Sequence, residues 1–372
     1  PSATVWPSHT MALVTTWRQP CGLARYAEAL VAAYPAGSVR VLAERGAPQV
    51  DGPAPDVPVE RVWERGAALD DLVAAVERAG VDLVHVNHHG GLFGARLSPA
   101  LAALAARGVR SVVTMHAPNQ IDPEIAALGR VAEAILVHSD GARLEVIANG
   151  VAPGVVRVMP SGMRPVATHD AAGTRRSLGL TPGEHLIATV GFLQPHKGVH
   201  EVIRALATLR QRLPVQYLVL GGPQPGDAAG AAYRDACRAE AARLGVGDAV
   251  TFADQYLPDA VVAEYLRAAD AIVLPYQTAW WEASAAARDA LASGRPVITS
   301  PALAFADLGG AVFRTTGAFH LARAIEAVLT TPALAAELVG EAARFAARHA
   351  WSQVAARHQA LYAEVRARPA PA

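Results

Sequence analysis

The chain alternates short, almost purely apolar runs with longer alanine-rich stretches of helical character. Eleven apolar runs have the length and composition of strands: MALVTTW, VRVLAE, DLVHVNH, SVVTMH, AILVHS and VVRVMPSG in the first half, and HLIATVG, QYLVLGG, AVTFADQ, AIVLPY and PVITSP in the second. Because most of these runs are continuously apolar, they are typical of strands covered on both faces. Strand–helix alternation of this kind predicts an α/β fold built from doubly wound parallel sheets.

A stretch rich in Pro, Gly, Ser and Thr, residues 159–174 (MPSGMRPVATHDAAGT), separates the two strand–helix series. Such a composition predicts an interdomain linker. We therefore expect domains over 1–163 and 164–350 that face each other across a cleft, and an amphipathic helix over 351–372. Ligands of such folds bind at the carboxyl ends of the strands, so the strand-end loops are the first candidates for a site.

Composition agrees with a two-domain globular protein. The 372 residues are 52% hydrophobic and 18% charged, which excludes a disordered chain. The 33 basic and 33 acidic side chains cancel formally, so we expect no nucleic-acid partner, which would show as a basic patch or a high pI.

Two cysteines, Cys21 and Cys237, are too few for a disulfide framework and lack zinc spacing. They favour a reduced, cytoplasmic setting. The first residues carry no recognisable secretory signal, and no apolar window has the length of a membrane span. We therefore expect no integral membrane segment.

Two strand-end loops place a glycine at the start of a helix. In TTWRQPCGLARYAEAL, Gly22 allows backbone amides to approach an anion at a helix N-terminus, although a plain strand–helix turn has the same pattern. In VGFLQPHKGVHEVIRAL, the strand ends at Gly191, and Lys197 stands beside the helix start as a point charge suited to a phosphate. A solvated lysine is the commoner fate of a single residue, but the coincidence of cation, glycine and helix start favours phosphate binding.

The segment PYQTAWWEASAAARDALASGRPVITSP carries a third helix start. The small residues Ala283, Ser284 and Ala285 allow close backbone approach to a phosphate, and Glu282 would accept hydrogen bonds from sugar hydroxyls. Alternatively, Glu282 only complements the helix dipole. The indoles of Trp280 and Trp281 either stack on a sugar face or pack between helix and sheet.

Histidines mark three further strand ends. HVNHHGGLF places His88 and His89 at one, VTMHAPNQ places His116 at the next, and LVHSD places His138 at a third. Their neighbours lack the spacing and acidic partners of a metal site, so we expect no bound metal. Each histidine taken singly is more often structural, but a cluster at one sheet edge favours a functional role.

These segments together resemble retaining glycosyltransferases of the GT-B fold, in the large family four. CGLARYAEAL is similar to the family's N-terminal glycine loop, VTMHAP to its N-domain histidine strand, and GFLQPHKGV to its Lys-Gly signature. The Trp-Trp-Glu segment ending in ALASGRPVITS is similar to its paired-acid motif, and HAWSQVAARHQALYAEV to its terminal helix, which crosses back to the first domain. The resemblance implies two Rossmann-like domains, with the acceptor bound by residues 1–163 and the donor by 164–350.

The resemblance also implies roles for individual residues. The catalytic set would be His116 against the donor sugar, Lys197 on the departing diphosphate and Glu282 on the sugar. The donor-binding set would be Gly22, Gly191, Lys197, Glu282, Ala283, Ser284, Ala285 and Asp289, with Asp289 on the ribose. Acceptor or sugar contacts would come from His88, His89 and Trp281.

Two positions depart from the family pattern. Phe192 stands where the family has an arginine, so one diphosphate cation is missing or is supplied elsewhere, with Arg25 and Arg288 as candidates. The family's two acids are glutamates with seven residues between them, whereas here Trp281 occupies the first position, Glu282 is displaced by one and the second acid is Asp289.

The resemblance implies a metal-independent hexosyl- or related transferase without a cofactor. It would move sugar from a UDP- or GDP-type donor to a hydroxylated acceptor, for example an aminocyclitol, with retention of configuration. A nucleotide-sugar epimerase on the same fold and a non-catalytic sugar-nucleotide-binding protein remain as alternatives. A dehydrogenase is disfavoured, because no G-x-G-x-x-G with a downstream acid follows the first strand. A glycosidase would show two carboxylates flanking one bond, and the sequence offers no such pair.

Overall fold

The computed structural model describes residues 10–50, 52–118, 122–166, 171–224, 226–255, 257–277 and 283–369. Within it the chain forms two compact units. The first unit combines Pro1–Gly162 with His349–Ala372, and the second unit is Met163–Arg348. The last helix of the chain therefore belongs with the first half of the sequence.

The first unit contains a seven-stranded parallel sheet with the order β3-β2-β1-β4-β5-β6-β7. Its strands are β1 (Met11–Thr15), β2 (Val39–Glu44), β3 (Val59–Trp63), β4 (Leu83–His88), β5 (Arg110–Met115), β6 (Ala134–Val137) and β7 (Val156–Val158). The order of the strands reverses between β1 and β4, where Leu13 pairs with Val41 on one side and with His85 on the other. Such a switch point is where doubly wound sheets bind ligands.

Seven helices belong to the first unit in the described residues. They are α1 (Gly22–Ala32), α2 (Asp70–Ala79), α3 (Gly90–Phe93), α4 (Leu97–Ala105), α5 (Pro123–Val131), α6 (Asp140–Ala148) and, from the end of the chain, α14 (Trp351–Ala367). Side-chain caps begin several of them: Asp122 accepts from the Glu124 amide at 2.9 Å, and Ser139 accepts from the Ala142 amide at 3.1 Å.

The second unit contains a six-stranded parallel sheet with the order β10-β9-β8-β11-β12-β13. Its strands are β8 (His185–Val190), β9 (Val215–Leu220), β10 (Val250–Phe252), β11 (Ala271–Leu274), β12 (Val297–Thr299) and β13 (Phe313–Arg314). Its helices are α7 (Ala172–Ser177), α8 (Val199–Leu209), α9 (Ala228–Arg243), α10 (Asp259–Ala268), α11 (Ala285–Ala292), α12 (Ala318–Thr330) and α13 (Pro332–Arg348).

Continuous apolar strands divide their side chains between two cores, one on each face of the sheet. In β1, Ala12 and Val14 pack in one cluster, whereas Met11 and Leu13 pack in the other. Both faces of this strand are buried, as the uninterrupted apolar run predicts. Each of the eleven predicted segments contains a strand, which confirms the α/β fold with doubly wound parallel sheets.

Two strands, β3 and β13, were not expected from the sequence. β3 (VERVW) begins with an exposed valine, lies at the edge of its sheet and follows a proline-rich stretch, so it has no long apolar run. β13 has only two residues. Edge strands and very short strands bury too little surface to leave a strong apolar pattern.

Buried polar contacts join α14 to the first unit. The Tyr362 hydroxyl lies 2.6 Å from His85 Nδ1 and 2.9 Å from the Tyr34 hydroxyl, and His85 and Tyr362 are almost completely buried. At the start of α14, the Trp351 ring packs edge-on against Tyr26, with ring centroids 5.2 Å apart. A Cβ added at Gly162 would lie closer than 3.0 Å to atoms of the Trp351 ring, so the absent side chain of Gly162 makes room for the indole.

We expect Gly162→Ala to lower the free energy of unfolding by roughly 1–3 kcal/mol, because the new methyl group overpacks the Trp351 site. Urea-induced unfolding measures this change. Gly154→Ala is the matched control, since its Cβ would meet no atom within 4 Å. Equal stabilities of the two variants would show that Trp351 does not pack against Gly162.

Candidate functional site

Glycines allow two loops of the second unit to pack closely at the carboxyl edge of its sheet. After β8, the chain passes through Gly191 and a turn at Pro195–Lys197 to Gly198, which has φ of 70° and begins α8. A Cβ at Gly198 would lie closer than 3.0 Å to the Pro275 carbonyl oxygen, and one at Gly221 equally close to the Gly191 oxygen. Only glycine tolerates both the left-handed backbone and these contacts, so the turn is held tightly against the end of β11.

Lys197 lies over an aromatic ring in this turn. Its Nζ is 3.9 Å from the centroid of the Tyr276 ring, and Tyr276, which follows β11 after Pro275, is 1% exposed. The neighbouring carbonyl of His196 accepts a hydrogen bond from the Gln277 amide at 2.8 Å. A cation at this distance from a ring face is attracted by the ring quadrupole, and the contact fixes the position of the ammonium group.

Lys197 is also the only lysine in the sequence, because the other 32 of the 33 basic residues are arginine. Lysine offers a compact ammonium charge, whereas arginine offers a planar guanidinium. A chain that uses arginine everywhere else and lysine at this one strand end points to a geometric requirement for the smaller cation.

Ser284 begins α11 and connects it to Tyr276. The Ser284 Oγ accepts from the Ala287 amide at 3.3 Å and lies 3.5 Å from the Tyr276 hydroxyl. Ala283 precedes it with φ of 59°, a left-handed conformation that is costly for alanine and is often found at functional sites. The start of α11 and the Lys197 turn therefore share one aromatic residue.

The acid at position 289 is engaged within the second unit. Asp289 Oδ1 accepts from the Arg164 guanidinium at 2.6 Å, and the Asp289 side chain is 11% exposed. Arg164 also lies 3.7 Å from Asp259. The Asp289 carboxylate is therefore paired with an arginine and keeps only a small solvent-exposed surface.

Four histidines lie at the carboxyl edge of the first unit. His88 ends β4 and is 4% exposed, and its Nε2 has no hydrogen-bond partner among the described residues. Burial lowers the pKa of His88 to about 4. His89 is exposed, and its Nδ1 accepts from the Gly91 amide at 3.3 Å. The surrounding protein desolvates part of the His89 ring, and this, followed by the nearby Arg65 charge, lowers the pKa of His89 as well.

His116 follows β5 and is hydrogen-bonded on both ring nitrogens. Its Nδ1 lies 3.1 Å from His138 Nε2, and its Nε2 lies 3.4 Å from Asn87 Oδ1. Tyr26 meets the His116 ring edge-on, with centroids 4.8 Å apart. Burial, and then the surrounding histidines, hold the pKa of His116 well below its ordinary value, so the ring is neutral at physiological pH.

Gly22 opens α1 at the same edge of the first unit. Cys21 precedes it in an extended conformation, and a Cβ at Gly22 would meet no atom of the described chain within 4 Å. The space beside this helix start is open, as an approaching ligand would require. The Cys21 thiol lies 3.5 Å from the Thr16 hydroxyl.

Residues 184–331 match the family of glycosyl transferases group 1. A D-inositol 3-phosphate glycosyltransferase of Rhodococcus erythropolis is 31% identical over 297 residues, which cover 76% of this chain and 62% of that protein. One of Nocardia farcinica is 32% identical over 242 residues, covering 63% of this chain and 48% of that protein. The chain therefore spans at most about three-fifths of the length of these two relatives.

Solved structures match nearly the whole chain. Alr3699/HepE of Anabaena in complex with UDP has a TM-score of 0.76 at 19% identity, covering 95% of this chain and all of that one. The sucrose-phosphate synthase of Thermosynechococcus elongatus has a TM-score of 0.74 at 22% identity, and the match covers 96% of this chain and 99% of that one. Likeness at this level of identity identifies the fold, which is GT-B.

Residues 184–331 form a group 1 glycosyl transferase domain. This confirms the family and the fold that the motifs predicted. The group 1 domain contains Gly191, Lys197, Ser284 and Asp289, so the turn, the start of α11 and the paired acid all lie inside the matched region.

Two details of the glycosyl transferase domain differ from expectation. The Ser284 amide donates to the Ala304 carbonyl at 3.1 Å, so in this structure it is not directed to a phosphate as predicted. Arg288 is 5% exposed, and its guanidinium pairs with Asp307 and lies 3.4 Å from the Ser284 carbonyl. It therefore does not fit the expected replacement for the missing cation at Phe192, because its charge is already neutralised in the core.

Glu282, Trp280 and Trp281 lie outside the described residues, so their predicted sugar contacts stay predictions. Sequence reasoning missed Tyr276, Arg164 and Asn87. Tyr276 is the last residue of the apolar run AIVLPY, which was the available signal, whereas the partners of Arg164 and Asn87 come from distant segments and leave no local pattern.

No group of three or more His, Cys, Asp or Glu side chains in the described ranges has the arrangement needed to hold a metal ion. Among the helices that the structure describes, none combines the length and apolar character of a membrane span.

We expect the first unit to lose stability as the pH falls from about 6.5 to 4. Burial lowers the pKa of His88 and of His358 to about 4 each, whereas an unfolded histidine titrates near 6.5. Between these values the unfolded state binds more protons, so the free energy of unfolding rises with pH and falls on acidification. Each residue accounts for about 3 kcal/mol across that window.

Urea-induced unfolding at several pH values measures this loss. His358→Leu removes one buried titrating ring from α14 and should flatten the slope between pH 6.5 and 4 while leaving the sign unchanged. An identical slope in the variant and the original protein would contradict the assignment for His358.

Proposed function

We propose that the protein is a glycosyltransferase that moves a sugar from a nucleoside-diphosphate sugar to a hydroxyl group of a small acceptor. The observation that carries the proposal is the Lys197 ammonium seated 3.9 Å from the Tyr276 ring, beside a glycine turn at the end of β8. A fixed cation at a strand end, inside a group 1 glycosyl transferase domain, suits a diphosphate leaving group.

Transfer from such a donor requires stabilisation of the charge that develops on the diphosphate. A preorganised cation acts where that charge appears and needs no reorganisation during the reaction. The first amides of α11 add donors, because the first N–H groups of a helix have no intrahelical partner. In this proposal Lys197 and these amides share the stabilisation, and neither a metal nor a cofactor is required.

The donor side is supported by the solved relatives. Alr3699/HepE binds UDP and UDP-glucose in its crystal structures, and we propose a UDP-type donor for this protein on that basis. Asp289 would accept from the ribose hydroxyls. Since its carboxylate is already paired with Arg164, binding would require a shared or displaced hydrogen bond.

The acceptor side is proposed from the first unit. Its sheet edge presents neutral His116, the buried His88 and the exposed His89, which suit hydroxyl groups better than charges. The relatives named D-inositol 3-phosphate glycosyltransferase indicate a cyclitol-like polyol. An aminocyclitol or a related polyhydroxylated ring is therefore the proposed acceptor class.

We propose retention of configuration, with the acceptor attacking on the face from which the diphosphate leaves. The departing phosphate then takes the acceptor proton, so the reaction needs no separate enzymic base. The free thiols of Cys21 and Cys237 are consistent with a reducing, cytoplasmic setting for this reaction.

The unique lysine gives a direct test of the proposal. Lys197→Ala should lower kcat by about 10²–10³, the range found when one charge-stabilising donor is removed. UDP-glucose consumption with and without a cyclitol acceptor measures the activity. Arg323→Ala is the matched control, because it removes an exposed cation of the same unit from α12.

An amine-reactive reagent can label the same lysine selectively, because the only other amine of the chain is its terminal amino group. UDP should protect Lys197 from the reagent, and Lys197→Arg should abolish that label. Activity of Lys197→Ala close to that of the control, or labelling that UDP does not slow, would remove Lys197 from the site. Acceptor-independent conversion of the donor would instead indicate an epimerase, and binding without turnover would indicate a sugar-nucleotide-binding protein.

Tyr276 provides a second test at the donor end. Tyr276→Leu removes the ring under the ammonium and should weaken UDP binding roughly twofold to thirtyfold, since a cation–π contact contributes about 0.5–2 kcal/mol. Tyr276→Phe keeps the ring face and is the control. Isothermal titration with UDP measures both affinities, and equal losses in the two variants would assign the effect to the hydroxyl.

A further inference from the structure

A partly exposed arginine stands at the carboxyl edge of the first unit. Arg65 follows β3, the outermost strand on one side of the sheet, and its side chain is 53% exposed. Its Nε lies 2.6 Å from Glu44 Oε1, and its Nη2 lies 3.3 Å from Glu44 Oε2. The carboxylate at the end of β2 therefore holds one edge of the guanidinium.

Buried groups fix this carboxylate in turn. The Glu44 side chain is 5% exposed, and its Oε2 accepts from Gln19 Nε2 at 2.9 Å. Gln19 is 4% exposed, and its Oε1 lies 3.5 Å from Arg65 Nη2. Arg18, just before it, has φ of 57°, a costly conformation of the kind that is often found at functional sites. Three strand-end loops thus hold the guanidinium in place before any ligand arrives, which lowers the entropy cost of binding.

The other edge of the Arg65 guanidinium is open. Its Nε and Nη2 make the contacts with Glu44 and Gln19, and its Nη1 makes no hydrogen bond to another residue in the part of the chain that the structure describes. Since a guanidinium only donates, the N–H groups of Nη1 remain available to an acceptor atom of a ligand.

A second cation meets the same glutamate. Arg61 of β3 donates from Nη1 to the Glu44 carbonyl at 2.6 Å and lies 3.4 Å from the Trp17 carbonyl. It pairs with no carboxylate among the described residues. Two arginines therefore share the one carboxylate of Glu44, and the balance of charge is positive. Arg288 differs, because it is buried and paired with its own aspartate.

His89 supplies a neutral donor beside this cation. The loop after β3 lies against α3, since the Gly66 amide donates to the Leu92 carbonyl at 3.2 Å. His89 Nδ1 accepts from the Gly91 amide, so the neutral ring carries its proton on Nε2. Partial desolvation, and then the charge of Arg65, lower the pKa of His89, which keeps the ring neutral at physiological pH.

We propose that Arg65 binds a phosphate monoester carried by the acceptor, with the His89 ring as a second donor. An excess of cations and donors from two loops suits a doubly charged group with three terminal oxygens better than a carboxylate. The Arg65 corner, which comprises Gln19, Glu44, Arg61, Arg65 and His89, stands on the geometry. Its use by the acceptor rests on the proposed function.

The Arg65 corner has a different task from the cation of the second unit. An acceptor phosphate keeps its charge throughout the transfer, so the corner fixes the position of the acceptor and does not offset the charge of a leaving group. The corner follows β1, β2, β3 and β4, whereas His116 follows β5. A polyol held by its phosphate at the corner would therefore present its hydroxyl groups to the neutral part of the edge.

Isothermal titration of the full chain with saturating UDP tests the corner. UDP then occupies the proposed donor site, and no sugar is present to be transferred. The probes are myo-inositol and a myo-inositol monophosphate. The original protein should bind the monophosphate about tenfold to a hundredfold more tightly, the range expected for hydrogen bonds to a charged group. Equal affinities for the two probes would overturn the proposal.

Three variants separate the corner from general charge. Arg65→Gln should bring the two affinities close together and leave that for myo-inositol nearly unchanged. Arg45→Gln is the matched control, because it removes an exposed arginine that follows β2 and pairs with Asp71, and it should keep the preference. A preference that survives Arg65→Gln, or that both variants lower equally, would contradict the role of Arg65.

The third variant guards against damage from an unpaired buried carboxylate. Glu44→Gln combined with Arg65→Gln removes the carboxylate together with its partner, and the preference for the monophosphate should still be lost. A restored preference in the double variant would show that the single change acted through Glu44, and would overturn the proposal.

Two further arms separate the source of the phosphate and the proposed function. Arg65-dependent binding to phosphatidylinositol vesicles, without a preference for the soluble monophosphate, would overturn the assignment to a small acceptor. With UDP-glucose as donor, an Arg65-dependent binding preference without transfer to either probe would reject the proposed function and uphold the corner as a phosphate site. Transfer to myo-inositol with equal binding of both probes would reject the corner alone.

Discussion

All thirteen strands of the described structure pair in parallel, and this single constraint decides where chemistry can lie. Parallel strands bring every carboxyl end to one edge of a sheet and leave both faces to be covered by helices. The faces consequently take continuous apolar runs, and polar side chains collect at the ends. Lys197, Ser284 and the histidines come from separate strand ends for this reason, although they are far apart in sequence.

The same constraint explains what the sequence could and could not predict. Strands buried on both faces leave long apolar runs, so eleven were recognisable, whereas the edge strand β3 and the two-residue β13 were not. The positions of Lys197 and His116 followed from strand ends and motif spacing. Their partners did not, since the ring under Lys197 comes from the end of β11 and Arg164 reaches Asp289 across 125 positions of the chain. Contacts between distant segments depend on packing, which a local pattern does not contain.

The choice of lysine at position 197 has a physical reason in this packing. A guanidinium stacks flat on an aromatic ring and spreads its charge over a plane, whereas an ammonium rests on the ring face as a point charge with three rotatable donors. Phe192 stands where the resemblance implies an arginine, so in the proposed function the single lysine would bear more of the charge that a diphosphate requires.

The two units treat charge in opposite ways at their sheet edges. In the second unit a cation is held by a ring and close-packed glycines, which suits a group that becomes more negative as it departs. In the first unit burial keeps His88 and His116 neutral, and His116 Nδ1 lies 3.1 Å from His138 Nε2. A neutral edge can orient hydroxyl groups but cannot offset the negative charge of a leaving diphosphate. A cationic turn can offset that charge. In the proposed function, charge stabilisation by the second unit and hydroxyl orientation by the first unit would follow from the chemistry of each edge by itself.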